Sequence, residues 1–140
     1  MAENVHAGHR EKLKKRFIDE GLGAFEDHQI LEMLLFYTIP RRDTNEIAHR
    51  LINKFGTLEA IFDSSPEQLM EIGKVTKSTA VLLTMIPELS RKYMLMKQGK
   101  KPELGSSDKA GKYVTKLFIG RNYEAFYMCC LNSQNQLNYA

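Results

Sequence analysis

Between Phe55 and Ala80 the chain reads FGTLEAIFDSSPEQLMEIGKVTKSTA, and nearly every boundary in that stretch carries its own start or stop residue. Thr57 can cap a first short helix. Ser65-Pro66-Glu67-Gln68 opens a second, with a serine cap, proline at the first helical position and glutamine completing a capping box. Leu69 and Ile72 give that helix one apolar face. Gly73-Lys74-Val75-Thr76 then forms a compact turn, and Thr76 caps a third helix beginning at Lys77. A helix, a short turn holding one apolar residue and a second helix that begins with bare N–H groups make a cradle for phosphate. The same arrangement can simply pack, and the residues alone leave both roles open.

The rest of the 140-residue chain suits one domain or slightly more, and 43% hydrophobic against 26% charged residues is enough for a core. The N-terminus, MAENVHAGHREKLKK, has no apolar centre for a signal peptide, and no apolar run reaches the roughly 18 residues a membrane span requires. A cytoplasmic protein with no membrane partner is expected. Cys129 and Cys130 are adjacent and read as reduced packing residues. Charge is unevenly placed: residues 91–121 hold nine Lys or Arg against Glu103 and Asp108, a local balance of +7. Such a segment suits a polyanionic partner, or equally a solvated linker.

Read in order, Leu13, Phe17 and Ile18 stripe a helix from His9 to Glu20. Asp27 can cap the next, from Ile30 to about Thr38, whose ILEMLLFY is apolar almost all round and so predicts the most buried helix. Pro40 ends it, and Arg41-Arg42 form a basic loop. Asp43-Thr44-Asn45-Glu46 opens a helix with Ile47, Ala48, Leu51, Ile52 and Phe55 inward and Gly56 as its stop. Pro87 predicts a kink or break in the helix after the turn, with continuation to about Met96. The expected architecture is mainly α: a compact bundle of five or six short helices over 1–97, a linker at 98–107, and an incomplete α/β segment at 108–140. In that last segment a helix from Asp108 to Ile119, striped by Tyr113, Val114, Leu117 and Phe118, precedes a strand, EAFYMCCL at 124–131. The strand is apolar on both faces, which normally means burial on both, but one helix and one or two strands cannot bury it; self-association through 124–131, strand exchange within 124–140, or disorder there is expected instead.

The patterns GHREKLKKRF, LEMLLFYTIPRRDTNEIAHRLINKFGTLEAIFDSSPEQLMEI and TAVLLTMIPELSRKYM resemble the N-terminal helical domain of the RadC family. That family carries a DNA-repair name, and its helical domain is related to helix-hairpin-helix DNA-binding modules. YVTKLFIGRNYEAFYMCCLNSQNQL resembles the opening of the MPN (JAB/JAMM) domain that follows in RadC proteins, a domain with a zinc metallopeptidase-like site. Together the two matches cover nearly the whole chain.

Two departures qualify what the resemblance implies. The family hairpin has a glycine–apolar–glycine core; aligned on Ile72 and Ala80, this chain puts Lys74 and Thr76 where those glycines stand, with Gly73 one place early. The implied nucleic-acid contacts are then Gly73, Lys74, Thr76, Lys77, Ser78 and the Thr79 hydroxyl, with Arg41, Arg42, Lys100 and Lys101 from the basic segments. Second, the metallopeptidase motif needs His-x-His-Pro and a downstream Ser-x-x-Asp. The histidines here are His6, His9, His28 and His49, and none forms such a motif. Glu124 resembles the family's general-base position but is inactive without zinc ligands. No cofactor or metal site is therefore expected in this chain, and zinc only in a longer parent, with the MPN-type domain cut off before its zinc motif. The alternative function is a protein-interaction or regulatory module of an MPN-type metallopeptidase with no DNA role. His6-x-x-His9 reads as a chance pair, and the methionines as core filler.

Overall fold

The computed structural model describes residues 5–99 and 101–140, with side chains from Gly8 onward. Lys100 and the His6 side chain therefore lie outside the described residues. The protein is mainly helical: α1 (Val5–Glu20), α2 (Asp27–Leu35), α3 (Thr44–Phe55), α4 (Leu58–Asp63), α5 (Pro66–Glu71), α6 (Lys77–Met96) and α7 (Ser107–Phe118) precede a small antiparallel pair, β1 (Cys130–Leu131) and β2 (Leu137–Tyr139). Two compact units, 1–84 and 85–140, divide within α6. None of the described helices is long and apolar enough to cross a membrane.

In the first unit the sequence signals act largely as read. Thr57 Oγ1 accepts from Ala60 N–H at 3.1 Å, Ser65 Oγ from Gln68 N–H at 3.2 Å, and Gln68 Oε1 from Ser65 N–H at 3.0 Å. Asp43 caps α3 by accepting from Asn45 N–H at 2.9 Å, and Gly56 ends that helix at φ 92°, which only glycine adopts without strain. Leu31, Leu35, Ile47, Ala48, Leu51, Ile61, Leu69, Ala80 and Leu83 form one buried core, drawn from α2 through the first turns of α6.

Four local expectations are corrected. Glu26, not Asp27, stands at the start of α2, its N–H donating to Gln29 Oε1 at 3.1 Å; the reciprocal partner three residues on decides the cap. Of the α1 stripe only Leu13 is buried, while Phe17 is 42% and Ile18 79% exposed, because α2 covers a single line of α1. The ILEMLLFY helix also buries a carboxylate: Glu32 is 1% exposed, accepting from Asn45 Nδ2 at 3.2 Å and lying 3.0 Å from His9 Nε2. Finally, α6 runs through Pro87 as one helix rather than breaking. Pro87 only removes the N–H that would have met the carbonyl of residue 83.

In the second unit Leu104, Tyr113, Leu117 and Leu137 form a separate core, joined by Leu95, Tyr127 and Cys129. Residues 102–104 are threaded into it. Leu104 N–H donates to Asn135 O at 2.7 Å, Leu137 N–H to Pro102 O at 2.9 Å, and Glu103 bridges Gln136. Ser106 caps α7 through Lys109 N–H at 3.2 Å, and Gly120 turns the chain at φ 71°, where an added Cβ would lie 2.6 Å from Pro87 Cβ.

The strand expected over 124–131 shrinks to Cys130–Leu131, paired with β2. Residues 124–129 alternate instead: Ala125, Tyr127 and Cys129 are half-buried, while Phe126 is 87% and Met128 67% exposed. The segment thus buries one face and leaves the other open. The core of this unit supplies a surface for only one side of the pleat.

Candidate functional site

The α5–turn–α6 hairpin is positioned by α3. Gly73 is buried where an added Cβ would lie 2.5 Å from Leu69 O and 2.8 Å from Leu51 Cδ2, so the turn backbone rests directly on α3. The two carbonyls ending α5 are held by α3 cations: Lys54 Nζ donates to Ile72 O at 2.6 Å and Arg50 Nη2 to Gly73 O at 3.4 Å. These are orphan acceptors of a helix terminus, satisfied by side chains. Ile72, expected beside Leu69 on the inner face, is 47% exposed, and Leu69 alone is fully buried. A six-residue helix presents one line to α3, and Leu69 occupies it.

Lys74 adopts φ 54°, the left-handed conformation that glycine takes without cost. A lysine therefore stands in a backbone geometry that ordinarily favours glycine. We predict that Lys74→Gly raises stability by about 0.5–1 kcal/mol, relief of the left-handed strain outweighing the added freedom of the unfolded chain. Urea denaturation of the variant checks this, and a lower midpoint contradicts it.

Thr76 caps α6 by accepting from Thr79 N–H at 3.3 Å. The Thr79 hydroxyl is fully buried; it donates to Thr38 Oγ1 at 3.0 Å and lies 3.1 Å from Thr76 Oγ1. It is not available to phosphate, contrary to the reading that grouped it with Ser78. Its task is to join the loop after α2 to the hairpin turn. From the other side Arg10 holds that loop, its Nη2 donating to Ile39 O at 2.6 Å and Arg42 O at 2.8 Å while its guanidinium lies over the Phe36 ring.

The result is a cleft of about 520 Å³ between the 38–42 loop, α3 and the turn, lined by Thr38, Ile39, Pro40, Arg41, Arg42, Ile47, Arg50, Lys74, Val75 and Thr76. Four cations line it, and none of the described lining residues is acidic. Arg41, Arg42, Lys74 and Thr76, singled out from distant segments, meet here. Lys77 and Ser78 are exposed on the first turn of α6 without lining the cleft, and Gly73 is buried beneath the turn. Lys101 belongs to the other unit, exposed beside the Pro102 bridge. Arg50 was missed. Its only sequence signal is its place three residues after Ile47, which puts both on one helix face.

In the second unit the basic stretch is partly neutralised: Lys109 pairs with Glu103 at 3.2 Å, Lys112 with Asp108 at 2.9 Å, and Arg91 with Glu88. Glu124 is exposed in a shallow cleft with Phe118, Tyr123, Ala125 and Phe126. Among the described residues no three His, Cys, Asp or Glu side chains gather as a metal site requires. His28 and His49 stack on one another, with centroids 4.3 Å apart.

These features define a mainly helical protein with a capped hairpin against a cation-lined cleft. Over 98% of its length the chain is similar to the UPF0758 protein FN0909 of Fusobacterium nucleatum subsp. nucleatum, with 32% identity over 146 residues. UPF0758 is a name carried by RadC-like proteins, and the similarity supports a RadC-like family for the chain. The chain spans 62% of that relative's length. No family model matches it. No solved structure matches it.

Proposed function

We propose that the chain is part of a RadC-like DNA-repair-family protein whose helical domain contacts nucleic acid through the cleft beside the hairpin. The observation that carries this reading is the convergence of Arg41, Arg42, Arg50 and Lys74 on one acid-free cleft. Cations so close together repel one another, and a polyanion relieves that repulsion while releasing its own counterions. A lysine at φ 54° adds to it, since a charge is kept at a position where glycine would be less strained. The test is an anisotropy titration with labelled DNA at two salt concentrations. Four phosphate contacts give a log–log salt slope of about −3 to −4. Absence of binding at low salt would sink the reading in favour of a protein-interaction module.

Residues 108–140 are, on the same family reading, the opening of an MPN-type domain. In a longer parent, Glu124 would be its general base and zinc its metal. The exposed Phe126 and Met128, on a segment whose described residues 124–129 pair with no other strand, give this part a second property: self-association. Light scattering is expected to detect oligomers that Phe126→Lys with Met128→Lys disperses. A monomeric parent chain at high concentration contradicts this.

A further inference from the structure

We infer that the cleft takes one unstacked nucleotide of a single strand, its base against the apolar wall and its flanking phosphates on the cations. This rests on the nucleic-acid reading above and adds the form of the ligand.

The lining is divided in character. Ile39, Pro40, Ile47 and Val75 supply apolar surface, and Arg41, Arg42, Arg50 and Lys74 supply charge. A duplex meets a protein surface chiefly with phosphates and sugars, its bases stacked inside, so it would engage the cations and leave the apolar wall in water. A splayed base is flat and largely apolar on its faces, and it can lie against such a wall or beneath a guanidinium plane. The size agrees: about 520 Å³ falls within the roughly 300–1,000 Å³ of clefts that hold small molecules.

The experiment compares three labelled probes of about 20 nucleotides on the full chain: oligothymidylate, an abasic strand with the same phosphates, and a mixed-sequence duplex. Oligothymidylate is expected to bind about tenfold more tightly than the abasic strand, and more tightly than the duplex. Equal affinity for oligothymidylate and the abasic strand overturns the inference but leaves the nucleic-acid reading intact. Failure of all three probes at low salt overturns both. Val75→Phe fills the cleft without changing its charge; it is expected to weaken oligothymidylate about tenfold and the abasic strand less than about twofold. An equal fall on both probes overturns the inference, and if the variant does not fold, the wild-type comparison still decides. Competition by polyglutamate as effective as by oligothymidylate would point to an acidic protein partner instead, and would also overturn it.

Discussion

Gly73→Ala is expected to destabilise the first unit by about 3 kcal/mol or more, lowering its melting temperature by roughly 12–24 °C. Glycine's backbone freedom plays no part here, since Gly73 does not adopt a positive φ. A Cβ at this position would lie 2.5 Å from the Leu69 carbonyl oxygen and 2.8 Å from Leu51 Cδ2, both inside van der Waals contact. Leu51 belongs to a core packed too closely to give way freely, and the Leu69 oxygen is backbone. The turn would therefore lift off α3, taking with it the carbonyls held by Lys54 and Arg50. Adding Leu51→Ala removes one of the two clashes and opens a cavity, so the double variant is expected to be no more stable than Gly73→Ala alone. Thermal unfolding followed by circular dichroism checks both. A Gly73→Ala protein within about 1 kcal/mol of the parent would mean that the hairpin does not rest on α3 as described.

Combined reversal of Arg41→Glu, Arg42→Glu and Lys74→Glu is expected to weaken DNA binding by at least about 100-fold near 0.1 M salt and to flatten the salt slope by about 3. The fold should tolerate the change. Arg41, Arg42 and Lys74 are exposed, and the bond from Arg10 is to the Arg42 carbonyl, which the substitution keeps. Surface changes of this kind usually move stability by less than about 0.5 kcal/mol. Unchanged DNA affinity in a folded triple variant would remove the nucleic-acid role and leave the interaction-module reading. The two predictions separate cleanly: Gly73→Ala acts on the scaffold, the charge reversal on what the scaffold presents.

Local chemistry was legible because it is local. Thr57, Ser65 with Gln68, Asp43, Thr76 and Gly56 set helix ends through bonds spanning two to four residues, and those bonds form as the residue order implies. Where two local signals compete, residue order alone does not choose between them. Asp27 had the better side chain for a cap, but Glu26 had the partner in Gln29. Pro87 leaves a kink or a break open, and the helix continues unbroken, because a single missing N–H does not stop a 20-residue helix held elsewhere along its length. Segment 98–107 has the composition of a linker, and only its pairing with residues 135–137 makes Leu104 part of a core.

For the hairpin, residue order alone carries its length, its caps and its resemblance to the RadC pattern, all within residues 55–80. The same order puts Lys74 and Thr76 where the RadC-like pattern has glycines. What those side chains do there follows from packing. Packing against Leu51 assigns Gly73 to close approach, and the φ of Lys74 shows a lysine holding a glycine's backbone shape. The threonine network and Arg10 bring the 38–42 loop to the turn, and α3 adds Arg50, a residue that no local pattern marked. Charges from three separated segments combine only where the chain has folded, because electrostatic fields sum over distance in space rather than along the sequence.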